Sequence, residues 1–335
     1  MTGWRTATRI LSVLGATGCG APTLDGDPAD GRSADSADSG GADGPDTGPD
    51  TGPDTGANDT GWAPCADYAE PESAGRVVDT DLDEISGLAV SRAQPGVLWV
   101  HEDSGNPAEI VALDTGGTTL ARFEVDAPNV DWEDLAIARC DVLAPETGAP
   151  DDWCLWIGDI GSNGARSDLA LLRVREPDLA VATSGTVHAE RFPVRYPDAP
   201  QDAEGLAVLP DGTPLVVTKR PDATAGLYTL PMVAGEPVTD LLEHMADVAT
   251  GAAGEDLSAR ATAADLSPDG SRLLVRAYLH LREYDLTDPR APVLLGERPF
   301  GLEIQGEAVA YDPRAGGYRQ VAEGRRPTLF HVRCE

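Results

Sequence analysis

The chain has 335 residues, of which 41% are hydrophobic and only 5% are aromatic, and its formal net charge at pH 7 is −32. A surface this acidic excludes recognition of nucleic acid or of anionic membrane surfaces through basic patches. The 37 glycines and 27 prolines favour many turns over long helices.

Residues 1–18 have the composition of a secretory signal. Arg5 and Arg9 precede a short apolar run, and small residues then lead to Cys19. The run is too short to span a bilayer, which takes about 20 apolar residues. The end of the segment, Ala16-Thr17-Gly18-Cys19, resembles the bacterial lipobox, which implies cleavage before Cys19 and acylation of that residue. Ordinary secretion is the alternative. We expect export and a lipid anchor at Cys19 in the cell envelope, at the outer membrane or the cell surface.

Residues 19–61 are predicted to be a disordered tether. Beyond Cys19 they are almost all Asp, Gly, Pro, Ala, Ser and Thr, and the sequence Asp-Thr-Gly-Pro repeats from Asp46 onwards. Such a segment buries too little apolar surface to offset the loss of chain entropy on folding. Prolines and like charges extend it. The folded domain is therefore expected over residues 62–335.

Four cysteines remain in this domain, and an even number in an exported protein favours disulfides. Cys140 and Cys154 flank a short loop between apolar strands, whereas Cys65 and Cys334 lie at the two ends of the domain. Three pairings are possible. We favour Cys140–Cys154 and Cys65–Cys334, because the second would tie together the termini of a circular fold. The absence of a Cys-x-x-Cys spacing disfavours a cysteine-bound metal.

A short strand pattern recurs five times and predicts the fold. Each copy has an apolar first strand, a turn often containing Pro and Gly, and second and third apolar strands. The first strands begin at Ser86, Glu133, Glu204, Ala264 and Glu307. Short strands at a period of about 40 residues or more are typical of propeller blades. The predicted fold class is all-β, a single β-propeller of five or six blades. An open pair of β-sandwiches is the alternative.

The last copy has only three strands, so the stretch Gly75–Val78, ahead of the first copy, is expected to supply its fourth and close the ring. The second and third copies are longer than the others and leave room for a degenerate sixth blade. The sequence Glu255-Asp256-Leu257-Ser258 is a stray copy of the motif there.

Six segments carry a resemblance to a known family. They are EISGLA (84–89), WVHEDSGNP (99–107), DWED (131–134), GDIGSNG (158–164), LSPDG (266–270) and QGEA (305–308). At these residues the chain resembles an uncharacterised bacterial family of extracytoplasmic β-propeller lipoproteins, and it is more distantly similar to phytase-like and strictosidine-synthase-like propellers. Ser162 and Tyr278 stand where the resemblance leads us to expect Asp and Thr. The resemblance implies a propeller and leaves its function open, since propellers host many activities.

Acidic residues recur at the starts of first strands and at the ends of second strands. In a blade the first strand lines the central channel and the second runs antiparallel to it, so both sets meet at one mouth of the channel. Close carboxylates repel one another unless something neutralises them, and Ca²⁺ takes about six to eight oxygen ligands. We predict a divalent-cation site, with Ca²⁺ as the ion. The predicted ligands are Asp103, Asp131, Glu133, Asp134, Asp159, Glu204 and Glu307.

Two functions fit this pattern, and acids that merely cap turns or face solvent are the alternative to any site. The favoured function is a binding or scaffold propeller, expected to be monomeric, for an unknown small-molecule or protein ligand. The other is a metal-dependent phosphoesterase or esterase of the phytase-like kind, or a lactonase-type hydrolase. In a hydrolase, Glu133 would activate water, and Lys219 and Arg276 would hold phosphoryl oxygens. Trp132 is the tryptophan that the pattern places at the mouth.

Overall fold

The apolar runs of the sequence form short β-strands. In the computed structural model, residues 62–140, 152–162, 166–233, 236–255 and 257–335 are described. These residues contain 21 strands and one 3-10 helix, Leu257–Ala259, and all belong to one compact unit. None of their helices is long and apolar enough to cross a membrane. The predicted signal, Cys19 and the tether lie outside the described residues.

The strands form five sheets, which are the blades of a propeller. Blade 1 contains β2 (Ile85–Val90), β3 (Val97–Glu102), β4 (Glu109–Asp114) and β5 (Thr119–Val125). Blade 2 contains β6 (Trp132–Arg139), β7 (Trp153–Asp159), β8 (Ala170–Arg175) and β10 (Ala189–Pro193). Blade 3 contains β11 (Ala203–Val208), β12 (Pro214–Thr218), β13 (Thr224–Thr229) and β14 (Glu243–Ala249). Blade 4 contains β15 (Ala261–Leu266), β16 (Arg272–Ala277), β17 (His280–Asp285) and β18 (Val293–Glu297). Blade 5 contains β19 (Gly306–Tyr311), β20 (Tyr318–Ala322), β21 (Thr328–Val332) and β1 (Glu72–Arg76).

The inner strands close a ring. Each inner strand packs against the next, from β2 through β6, β11 and β15 to β19, and β19 packs against β2 again. This arrangement confirms the single all-β propeller, settles the number of blades at five and rules out the open pair of sandwiches. Part of the extra length of the second repeat forms β9 (Ser184–Val187), which pairs parallel with β5 of blade 1 before β10 joins blade 2. Glu255 and the 3-10 helix lie in the connection that leads into β15.

The ring closes where the sequence predicted, although the closing strand begins earlier. Strand β1 pairs antiparallel with β21, and an isolated bridge joins Tyr68 to Cys334 beside them. A disulfide links Cys65 to Cys334, and another links Cys140 to Cys154. Both predicted pairings are confirmed. Two disulfides indicate that the domain resides in an oxidising, extracytoplasmic environment.

The apolar core lies between neighbouring blades. Four of the five inner strands are buried at every position, because adjacent blades cover both of their faces. This explains why they read as continuous apolar runs rather than as an alternation. Trp99 and Trp132 are fully buried in the cluster between blades 1 and 2. Trp132 therefore belongs to the core, and its indole N–H donates to the carbonyl of Pro128 (3.1 Å). Trp132 is the first residue of β6, at the mouth end, but its side chain is turned into the core.

Candidate functional site

A β-bulge lies near the start of every inner strand. In each blade the pairing with the second strand shifts by one residue. A bulge leaves one residue outside the ladder and re-aims its side chain. The five bulges lie at the end of the propeller where the inner strands begin, which we call the channel mouth. The residues at the bulges are Ser86, Glu133, Glu204, Thr262 and Glu307.

The short and long side chains at these bulges make different contacts. The hydroxyl of Ser86 donates to the carbonyl of Glu133 (2.5 Å), and the hydroxyl of Thr262 donates to the carbonyl of Gly306 (2.7 Å), so each ties its blade to the next. The glutamates are longer and bring carboxylates to the mouth. Sequence reasoning missed Thr262 because it aligned blade 4 two residues late, on Ala264. The only signal that could have found Thr262 was its distance from the second strand of the blade.

Lys219 already has partners within the mouth. It follows β12, and its ammonium donates to the carboxylate of Glu204 and to the hydroxyl of Tyr278 (3.1 Å). Burial raises the pKa of Glu204 to about 7, even though the charge of Lys219 lowers it. Burial lowers the pKa of Lys219, but Glu204, Tyr278 and Glu307 together raise it above its ordinary value, so the ammonium remains charged. The structure thus brings Glu204 and Lys219 together as an ion pair.

Three carboxylates converge on the other side of Glu204. One oxygen each of Asp103, Asp131 and Glu133 lies within 4.8 Å of the others. Glu133 is only 5% exposed, and among the described residues none donates a hydrogen bond to its carboxylate. Burial, reinforced by neighbouring negative charges, raises the pKa of Glu133 well above its ordinary value. Burial likewise raises the pKa of Asp103 to about 6. These three residues form the acidic cluster.

The connection after β7 is shaped around this cluster. A Cβ on Gly161 would lie 1.9 Å from Oε1 of Glu133 and 2.6 Å from Oδ2 of Asp131, so a side chain there would displace these carboxylates. Asp159 accepts a hydrogen bond from the backbone N–H of Asp131 (3.0 Å) and pairs with Arg166 (2.8 Å). Asp159, a predicted ligand, therefore holds the backbone of Asp131 rather than adding an oxygen to the cluster.

Asp134 lies away from the mouth, in the centre of the propeller. Its fully buried carboxylate accepts backbone N–H bonds from Leu135 (2.8 Å), Leu206 (2.8 Å) and Ala264 (2.9 Å). These residues belong to the inner strands of blades 2, 3 and 4, so one side chain ties three blades together. We call this carboxylate and its donors the hub. The prediction of Asp134 as a metal ligand is corrected, because its oxygens are occupied by backbone donors.

The alignment of blade 4 on Ala264 would also place Asp265 at the mouth, but Asp265 lies further along β15. It accepts a hydrogen bond from the backbone N–H of Tyr311 (2.7 Å), in blade 5. The two-residue alignment error in blade 4 accounts for this misplacement.

Arg276 is also removed from the predicted site. It is 1% exposed and lies between blades 4 and 5, where it donates to Gln320 (2.9 Å) and pairs with Glu303 (3.1 Å). A phosphoryl group at the mouth would have no access to this guanidinium. Because Lys219 is bonded to Glu204, neither cation proposed for a hydrolase is available.

Glu307 brings a further carboxylate to the mouth. It is 4% exposed, and burial raises its pKa well above the ordinary value, reinforced by the charges of Glu204 and Glu323. The mouth thus contains Glu133, Glu204 and Glu307, as the repeat pattern predicted, but they are not equivalent. Glu133 belongs to the acidic cluster, Glu204 pairs with Lys219, and Glu307 lies outside both groups.

The three carboxylates of the acidic cluster suit a hard cation. Ca²⁺ binds carboxylate and carbonyl oxygens in irregular sets, and it tolerates ligands from several loops better than Mg²⁺ does. The cluster supplies three carboxylates from two blades and excludes side-chain volume at Gly161. The residues present could therefore hold a metal ion, and their ligand atoms are of the oxygen type that hard cations take.

Comparison with known proteins finds similar chains among the solved structures. No protein-family model and no curated protein sequence matches the chain. The chain is similar to the solved structure of the PQQ-bound form of aldose sugar dehydrogenase from Streptomyces coelicolor. The identity is 14% and the TM-score is 0.45, over 81% of this chain and 100% of that one. A likeness this distant does not indicate what the present chain binds.

Proposed function

We propose that the protein is a cell-envelope lipoprotein whose β-propeller serves as a binding domain and holds Ca²⁺ at the channel mouth. The observation that carries the proposal is the acidic cluster, in which Asp103, Asp131 and Glu133 converge within 4.8 Å.

The electrostatics of Glu133 support a bound cation. A buried carboxylate that accepts no hydrogen bond is costly to ionise, and the usual compensation is a paired charge or a metal. Lys219 is committed to Glu204, so it does not supply that charge. An ion between Glu133, Asp103 and Asp131 would neutralise all three at once. Calcium is the ion that their oxygen chemistry favours.

Features of the sequence support the location. The stretch Ala16–Cys19 resembles the processing site of lipoproteins, and the Asp-rich composition of residues 19–61 is that expected of a tether. The two disulfides agree with export. In this proposal the tether presents the channel mouth to ligands outside the cytoplasm. A hydrolase is the weaker candidate, because Arg276 is buried between blades and Lys219 is bonded to Glu204.

A calcium titration tests the proposed ion site. The purified protein, stripped with EDTA, is titrated with CaCl₂ by calorimetry and followed by thermal unfolding. Binding to the native state alone stabilises it by about 2.7 kcal/mol when free Ca²⁺ is 100 times the Kd. We expect saturable binding and a rise in Tm, and both should disappear in Glu133→Gln. The control Glu236→Gln, at an exposed carboxylate between β13 and β14, should respond like the parent. A parent protein whose Tm does not respond to Ca²⁺ would contradict the proposal.

Anchoring is tested separately. A bacterial expression strain is fed radiolabelled palmitate, and the label should enter the parent chain but not Cys19→Ser. Export of the unlabelled variant should persist, because the preceding signal is intact. Equal labelling of both chains would exclude acylation at Cys19.

A further inference from the structure

Glu307 and Glu323 form a second acidic group at the mouth. Glu307 lies at the bulge of β19, and among the described residues none donates a hydrogen bond to its carboxylate. Glu323 directly follows β20 and accepts a hydrogen bond from the side-chain amide of Gln305 (2.6 Å). Burial raises the pKa of Glu323 to about 7. Neither residue belongs to the acidic cluster of Asp103, Asp131 and Glu133.

The protein's own cations leave this pair under-neutralised. The charge of Glu307 raises the pKa of Lys219, but the Lys219 ammonium is bonded to Glu204 and Tyr278. Arg276 is bonded to Glu303 and Gln320. Within the described part of the chain, the acidic cluster is the one group of three ligand atoms close enough to hold a metal. Glu307 and Glu323 therefore offer two carboxylates without the convergence that an inorganic ion requires.

Exposed apolar side chains occur in connections at the same end of the propeller. Leu302 and Ile304 lie in the connection that leads from β18 into the bulge at Glu307, and they are 80% and 92% exposed. Leu279 lies in the turn between β16 and β17, directly after Tyr278, and is 44% exposed. Because inner strands begin and second strands end at the mouth, both connections lie at that end. Clustered exposed apolar residues beside polar ones mark binding surfaces.

We propose that this side of the mouth binds an organic cation with an apolar tail, a free amphipathic amine. The ammonium group donates hydrogen bonds to Glu307 and Glu323, and the tail packs on Leu279, Leu302 and Ile304. An ammonium group has three donors and no acceptor, which complements two carboxylates that need donors. Anionic ligands are repelled by the same charges. This proposal is independent of the calcium site, which uses other carboxylates.

Calorimetry with hexylammonium chloride tests the site. Hexanoate, which keeps the apolar tail, and ammonium chloride, which keeps the cationic head, are the comparison probes. We expect saturable binding of hexylammonium, no binding of hexanoate, and at least tenfold weaker binding of ammonium. Glu307→Gln should weaken hexylammonium binding at least tenfold. Ile304→Ser, at a side chain that makes little contact with the fold, should weaken it several-fold. Glu236→Gln, at an exposed carboxylate, should match the parent, and near-ultraviolet circular dichroism should confirm that each variant is folded.

The outcomes separate this proposal from the calcium proposal. Glu133→Gln should lose the response to Ca²⁺ and keep hexylammonium, whereas Glu307→Gln should do the reverse. If hexylammonium fails to bind, or binds equally to the parent and to both Glu307→Gln and Ile304→Ser, the amine site is overturned whatever Ca²⁺ does. Equal binding of hexanoate and hexylammonium would also overturn it, since the tail alone would then account for the affinity.

Discussion

Glu133 and Asp134 are adjacent in strand β6, but their carboxylates differ in the number of hydrogen-bond donors around them. Both residues are buried. Asp134, in the hub, receives three backbone N–H bonds, whereas Glu133, in the mouth, receives none from the described residues. Both residues lie within the irregular pairing between Trp132 and Leu135, and one side chain reaches the mouth while the other reaches the centre. Burial of an acid is therefore not a sign of function in itself; the supply of hydrogen-bond donors separates a structural carboxylate from one that awaits a ligand.

The largest loss of stability is expected from removing the hub carboxylate of Asp134. Asp134→Ala leaves the backbone N–H groups of Leu206 and Ala264 buried without an acceptor, at about 1–3 kcal/mol each. We expect the free energy of unfolding to fall by about 3–5 kcal/mol, measured by urea denaturation. Glu133→Gln, assayed without Ca²⁺, is the matched variant one residue away. It should cost little or even stabilise, because it removes a charge that no donor satisfies. Equal losses in the two variants would show that hub and mouth do not differ.

A smaller effect is expected from crowding the acidic cluster. Gly161→Ala places a methyl group where Glu133 and Asp131 now bring their oxygens, so the carboxylates must move apart. We expect at least tenfold weaker Ca²⁺ binding, about 1.4 kcal/mol, by calorimetry. Gly116→Ala is the control, since its Cβ would meet only Oδ1 of Asp114, at 3.3 Å. If Gly161→Ala bound Ca²⁺ with unchanged affinity, the ion would not bind at this position.

A pH dependence of stability is also expected to arise in the mouth. The pKa values of Glu204 and Glu323 are raised to about 7, from an ordinary value of 4.5. Between these values the native state binds more protons than the unfolded state, so the contribution of these groups to stability is complete below about pH 4.5 and is lost as the pH rises towards 7. Without Ca²⁺, the Tm should therefore fall over this range, and the fall should be shallower in Glu323→Gln. A Tm that rises from pH 5 to 7 would contradict the raised pKa values.

The fold was predictable because its determinants are local. Each blade repeats an apolar inner strand, a turn and further apolar strands, and the missing strand of the last copy pointed to a strand ahead of the first. The positions of Cys65 and Cys334 suggested the same closure. Strand β9 was not predictable, because its pairing with β5 joins residues far apart in the chain and leaves no repeat in the sequence.

The site was less predictable, because its character depends on contacts between blades. The acids at the bulges are visible in the sequence, but the donors to Asp134 lie 72 and 130 residues away, at Leu206 and Ala264. The burial of Arg276 likewise depends on Glu303 and Gln320, in the next blade's segment. In blade 4, Thr262 stands at the bulge where three other blades have glutamate. The sequence pattern therefore took Asp265 as the mouth acid of this blade, which was wrong. Sequence pattern predicts which residues approach the mouth but not which of them are already satisfied.

The bridge between Cys65 and Cys334 has a mechanical consequence. Cys65 precedes the closing strand β1, and Cys334 follows β21, its partner. Force on the chain ahead of Cys65 therefore passes through the disulfide to Cys334. It does not separate β1 from β21 by breaking their hydrogen bonds one after another. A force applied ahead of Cys65 would load a covalent bond, while the ring of blades stays shut.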